Sequence, residues 1–259
     1  MSYKSLCVVL ALLTGMEAHA AKEPPLRLCF EDVDQRPWST PGGKGLNFEL
    51  LRRVENHLNE QFIYSPKPWK RCLSELKLGQ VDGVIGAADS VDRRSWSRIP
   101  QLPDGREDPA RAMFEDEALV FLRVGGNASW DGKELLAPGK VVIVQSGYLV
   151  SQQLRDKGFL PRELVKSAAD ALRMLALGSY DVAVLQGLEA SNLARSDPRF
   201  KGHVRQAEQP FSTVHLHLMI SRPTYERDPQ RIEAIWQSIG AVRTSKDYRQ
   251  LEVAAGAAR

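Results

Sequence analysis

The sequence has little cysteine, almost no net charge, and no apolar run long enough to span a membrane. Three cysteines are too few for a disulfide-dense scaffold and lack the paired spacing of a structural zinc site. A formal charge of +3 over 259 residues gives no ground for nucleic-acid binding. Catalytic signatures are missing too: there is no G-x-S-x-G, no G-x-x-x-x-G-K-[ST], no H-E-x-x-H and no G-x-G-x-x-G. No Asp or Glu pair is set apart by its spacing as acid and base. What remains is ordinary for a globular protein, with 43% hydrophobic and 26% charged residues, which excludes disordered and fibrous classes.

The first 20 residues read as a removable export signal. Lys4 supplies a positive start, Ser5 to Met16 is mostly apolar, and Ala18-His19-Ala20 is a small-x-small cleavage site. Cleavage after Ala20 removes Cys7 and leaves Cys29 and Cys72, an even number in an oxidising compartment. Cys29 lies in the apolar run Leu26–Phe30, a predicted first strand, and Cys72 follows Pro68-Trp69 near a helix start. A Cys29–Cys72 disulfide is expected.

An internal repeat gives the architecture. Leu73-x-x-Leu76-x-Leu78-Gly79-x-x-Asp82-x-x-Ile85 recurs as Leu172-x-x-Leu175-x-Leu177-Gly178-x-x-Asp181-x-x-Val184, an offset of 99 residues from Leu73 to Leu172 and at each later position. Leucines three apart share a helix face, the glycine closes the helix, and a β-branched run enters a sheet. A spacing near 100 is too long for a solenoid and suits two similar α/β lobes.

The rest of the chain fits that frame. A strand at Leu26–Glu31 precedes a helix at Leu46–Leu58, whose Leu46, Leu50, Leu51, Val54 and Leu58 share one face. In the second half a strand at Lys140–Gln145 leads through Gly147 into another helix. Alternating strands and helices argue for parallel sheets. Glu117–Val124 and Val214–Ile220 read as two crossings between lobes, and Asp228-Pro229 starts a helix expected to pack back on the first lobe. The expected fold is α/β, with each lobe a mostly parallel sheet flanked by helices. The division is a signal peptide at 1–20, a discontinuous first lobe at 21–118 plus 212–259, and a second lobe at 119–211.

Two segments look able to receive an anion. Ser90-Val91-Asp92-Arg93-Arg94 follows the first repeat strand, where ligands of open α/β sheets bind, and a guanidinium there can fork onto a carboxylate. Gln145-Ser146-Gly147-Tyr148 joins a strand to a helix start in the second half, with N–H groups suited to an anion. His215-x-His217 places two imidazoles on one strand face, which without a third ligand reads as a hydrogen-bonded position rather than a metal site.

Taken in order, Pro37-Trp38, Gly45-Leu46, Leu76-x-x-Gly79-x-Val81-Asp82, Ser90-x-x-Arg93, Gln145-x-Gly147 and Leu175-x-x-Gly178-x-x-Asp181-x-Ala183 resemble extracellular solute-binding protein family 3. These are the type II periplasmic solute-binding proteins of ABC transporters, and this chain resembles a divergent member. The resemblance covers the whole mature sequence. It implies a two-lobed periplasmic protein that closes on a small ligand and delivers it to a membrane permease, as a monomer without cofactor or metal. It places Trp38 as the aromatic that stacks on the ligand and Arg93, or by a one-residue shift Arg94, as the carboxylate anchor. Ser90, Trp69, Gly147 and Tyr148 complete the expected site. Gln186 departs from the family's usual aspartate, so an ordinary α-amino acid is not the expected ligand. A ligand-responsive partner of a membrane sensor is the alternative reading, and a dehydratase-like enzyme on the same scaffold a second.

Overall fold

Local periodicity is realised in the computed structural model, which describes residues 23–257. The expected signal peptide, residues 1–20, lies outside the described residues. The chain runs β1 (Leu26–Glu31), α1 (Leu46–Leu58), β2 (Phe62–Lys67), α2 (Trp69–Lys77), β3 (Gly83–Ala88), α3 (Val91–Arg94), β4 (Ser97–Arg98) and β5 (Phe114–Arg123). It continues through β6 (Ser129–Trp130), β7 (Leu135–Leu136), β8 (Val141–Gln145), α4 (Leu149–Asp156), β9 (Leu160–Val165), α5 (Ala168–Ala176), β10 (Val182–Gln186) and α6 (Leu188–Ser196). The last elements are β11 (Val204–Gln206), β12 (Ser212–Ser221), α7 (Arg222–Arg227), α8 (Pro229–Thr244) and α9 (Lys246–Ala254).

The main sheet has the order β2-β1-β3-β12-β5-β10-β8-β9. Three parallel strands on each side, β2-β1-β3 and β9-β8-β10, are each followed inward by one antiparallel strand, β12 or β5. The two lobes are thus one arrangement used twice. β5 and β12 meet through Phe114–Ala118 against Ser212–Leu216, and Ala118 also pairs with Gln186 of β10. Main-chain pairing therefore passes between lobes along these two long strands, the two expected crossings.

The repeat has a physical basis in both copies. α2 and α5 close at Gly79 and Gly178, each with positive φ (69° and 75°), where any other residue would be strained. Asp82 is buried and accepts hydrogen bonds from the Arg27 backbone N–H (2.8 Å) and Nε (3.0 Å), tying the start of β3 to β1. Its counterpart Asp181 accepts from Arg123 Nε at 2.7 Å and ties the start of β10 to β5. The repeated aspartate is a strand-entry clamp.

Helix α1 buries Leu46, Leu50, Leu51 and Val54 against Ile232, Ile235, Trp236 and Ile239 of α8, so the C-terminal helices do pack on the lobe of β1. Each of these side chains contributes about 1.5–3 kcal/mol by leaving water. Asp228 caps α8 by accepting from Arg231 N (3.0 Å), with Pro229 in its first turn. The Cys29–Cys72 disulfide is formed, joining β1 to α2 with Cα atoms 5.5 Å apart. No helix among the described residues is long and apolar enough to cross a membrane.

Candidate functional site between the lobes

The carboxyl ends of β1, β3, β8 and β10 converge on one cavity. Glu31 ends β1, Ala88 ends β3, Gln145 ends β8 and is followed by Gly147 and Tyr148, and Gln186 ends β10. The lobes are closed on each other, and about 30 Å³ remains for the centres of water molecules.

Arg93 is the cationic wall of this cavity. Ser90 Oγ caps the short helix α3 by accepting from Arg93 N (3.3 Å), which sets the direction of the arginine side chain. The guanidinium donates from Nη1 to the Ala88 carbonyl (2.8 Å) and from Nη2 to the Gly147 carbonyl of the other lobe (3.0 Å). It is 7% exposed and forms no ion pair among the described residues. Burial pushes its pKa down to about 10, so it stays charged at neutral pH. Arg94 points elsewhere: its Nε lies on Asp89 (2.8 Å) and its Nη1 donates to the Gly105 carbonyl (2.6 Å).

Trp69, Tyr148 and Gln186 also line the cavity. Trp38 does not. Its ring stacks on Phe114 at 4.1 Å, and Phe114 presents the aromatic surface to the cavity instead. The reason is local. The Pro37 and Trp38 carbonyls accept from the N–H groups of Leu46 and Asn47 (both 3.0 Å), fastening this loop to the start of α1. A side chain at Gly45 would lie 2.5 Å from the Trp38 carbonyl oxygen, so only glycine lets the loop sit there.

The start of α4 also differs from expectation. The Gly147 N–H, read from the sequence as open to a ligand's anion, donates instead to Glu163 of β9 at 3.0 Å. Glu163 also accepts from Ser151 Oγ (2.6 Å) and pairs with Lys70 of the opposite lobe (2.8 Å). Burial alone would raise its pKa, yet Lys70, Ser151 and the Gly147 N–H hold it at about 2. The protein's own carboxylate fills the anion position and bridges the lobes.

Three residues that the sequence did not single out complete the wall. Glu31 is 6% exposed and accepts from Tyr148 Oη at 2.5 Å, a bond between lobes. The Gln35 amide donates to both Glu31 and Tyr148. Asn47, at the start of α1, is 3% exposed, and its Oδ1, like Glu31 Oε1, is buried without a hydrogen-bond partner among the described residues. One signal could have found Glu31, namely its place at the carboxyl end of a parallel strand. The histidines of β12 lie apart, with His215 Nδ1 and His217 Nε2 on the two oxygens of Glu107 (3.0 and 3.2 Å). Among the described residues no group of three His, Cys, Asp or Glu side chains is placed to hold a metal.

No family model and no curated protein matches the chain. Solved structures do. A histidine kinase sensor domain with similarity to periplasmic binding proteins has a TM-score of 0.71 at 18% identity, over 89% of this chain and 95% of its own. The GluR0 ligand-binding core from Nostoc punctiforme, in complex with L-glutamate, has a TM-score of 0.70 at 16% identity, over 90% of this chain and 100% of its own. The arginine-, lysine-, histidine-binding protein ArtJ from Geobacillus stearothermophilus has a TM-score of 0.68 at 16% identity, over 90% and 95%. With two such lobes facing one cleft, the chain has the fold of the periplasmic binding proteins.

Proposed function

We propose that this chain is an exported periplasmic solute-binding protein that captures a small polar, carboxylate-bearing ligand between its lobes for an ABC-type importer. The observation that carries the reading is Arg93: a charged guanidinium, buried at the cavity wall, held by backbone carbonyls and in no ion pair among the described residues. A buried cation held by neutral carbonyls alone is costly, and a ligand carboxylate forked onto its nitrogens would supply an opposing charge. Closure around such a ligand requires only that the closed form bind it better than the open one. The likeness to proteins that hold glutamate or basic amino acids supports a ligand of that size.

The lobes in this reading are residues 21–118 plus 212–259 and residues 119–211, supported by the switch of pairing at Ala118. The chain acts by binding, and no residue is assigned a catalytic role. The likeness to a histidine kinase sensor domain keeps a signalling output as the second reading. Retention by a permease or by a receptor domain, only when ligand is present, separates the two.

The test is a thermal-shift screen of small carboxylates against the wild type and Arg93→Ala. A ligand at 100 times its Kd stabilises the wild type by about 2.7 kcal/mol. Arg93→Ala is expected to abolish that shift, and a ligand bound equally well by both proteins would refute the assignment.

A further inference from the structure

Two acceptors with no donor face the cavity that Arg93 walls. Glu31 Oε1 and Asn47 Oδ1 belong to residues 6% and 3% exposed, and neither atom has a partner among the described residues. Leaving two buried acceptors empty is costly, so the site is built for something that brings N–H donors. Gln186, on the other lobe, carries no charge to attract an amine. Glu31 does, on the first lobe, and its second oxygen is already held by Tyr148.

We infer that Glu31, with Asn47, is the site for a ligand's ammonium group, and that a proton on Glu31 takes the place of that ammonium in the empty, closed protein. The inference rests on the capture reading and adds a second charge to the ligand: a compact molecule with both a carboxylate and a protonated amine. The absence of a charge at Gln186 therefore does not exclude an amino acid, because the cation partner comes from the opposite lobe.

The surroundings of Glu31 explain why a proton is needed. Tyr148 and Gln35 bond one oxygen, Asp32 lies next in sequence, and Lys166 reaches over from the other lobe toward Asp32 at 3.8 Å. Lys67 is its register partner on β2, bound to Glu75, and Arg93 stands elsewhere on the cavity wall. Burial outweighs the help of the Tyr148 hydroxyl and pushes the Glu31 pKa up to about 8. The carboxyl is thus neutral in the closed, empty form at pH 7, and its proton must leave when an ammonium arrives. In an open cleft the group would return toward its ordinary 4.5. Ligand-free closure therefore takes up a proton and weakens as pH rises between those values, by up to about tenfold per pH unit.

The experiment compares alanine with propionate, the same carboxylate without the amine, on residues 21–259. Calorimetry at pH 7 in two buffers of different ionisation enthalpy counts the protons released. Alanine is expected to bind more tightly than propionate and to release close to one proton, propionate none. Glu31→Gln is expected to lose the preference and the proton release together. Tyr148→Phe, which keeps the carboxyl, should still release the proton. Without ligand, small-angle scattering should show the wild type opening from pH 6 to pH 9 and Glu31→Gln unchanged over that range. No preference for alanine, including no binding of either compound, or binding without proton release, overturns the ammonium site. Binding of both compounds alike, lost in Arg93→Ala, would overturn it while leaving the capture reading intact.

Discussion

Removing the Cys29–Cys72 disulfide should cost this protein much of its thermal stability, and the amount follows from where the bond lies. The two cysteines are 43 residues apart and both fully buried. Closing a loop of that length removes conformational freedom from the unfolded chain equivalent to about 4 kcal/mol. For a protein of this size, each kcal/mol moves Tm by roughly 2–4 °C, so the loss should be roughly 8–16 °C. The perturbation is Cys29→Ala with Cys72→Ala, measured by calorimetry on residues 21–259 beside the oxidised wild type. Thiol titration of the denatured, unreduced wild type should find no free thiol. A functional effect should accompany the loss, because the bond pins α2 to β1, and α2 carries Trp69 to the cavity and Lys70 to Glu163. Closure should weaken along with stability. Two reactive thiols in the unreduced protein, or a fall in Tm below about 3 °C for the double variant, would refute the reasoning.

Two other perturbations probe the closure and the repeat. Gly147→Ala should hold the cleft open: the residue has a φ of 84°, and a Cβ there would lie 2.9 Å from Lys70 Cγ and 3.2 Å from Trp69 Cδ1 across the interlobe contact. Scattering should report a larger radius and ligand shifts should vanish, whereas a closed variant with wild-type binding would show that this contact does not gate closure. Asp82→Asn should destabilise the fold by about 2 kcal/mol at neutral pH through its bonds to Arg27 and Thr224. Burial pushes the Asp82 pKa up, but those bonds outweigh it and hold it below 3.8. The stabilisation is therefore full above that value and lost as pH falls through the lowered one, so the gap in urea midpoint between variant and wild type should narrow in acid. A gap independent of pH would mean that the carboxylate charge is not what Arg27 recognises.

Much of the fold was legible because it is written in short-range patterns. Helix α1 covers the range its apolar face predicts, and the two repeat copies become α2–β3 and α5–β10 at the expected offset. Strand ends moved by a few residues: the Val81–Ile85 run becomes Gly83–Ala88, with Asp82 just before it bonded through main chain and side chain to Arg27 of β1. The candidate site was only half legible. Arg93, Trp69, Tyr148 and Gln186 line the cavity, while Trp38 is hidden behind Phe114 and Arg94 is turned onto Asp89.

What the sequence determined by itself is the alternation of strand and helix, the duplicated unit, the pairing of Cys29 with Cys72 and the loop that holds Arg93. These depend on residues a few positions apart, or on counting. The tertiary structure alone decided which charges lose their water. Glu31 and Glu163 are ordinary strand glutamates in the sequence, yet one is pushed up to about 8 and the other held at about 2. Burial pushes both up, but Glu31 has chiefly a neutral tyrosine hydroxyl from the opposite lobe to offset it, whereas Glu163 has a lysine from across the cleft besides Ser151 and the Gly147 N–H. Desolvation and charge pairing depend on distance in space, and no spacing along the chain encodes which side chain will close over a given carboxylate.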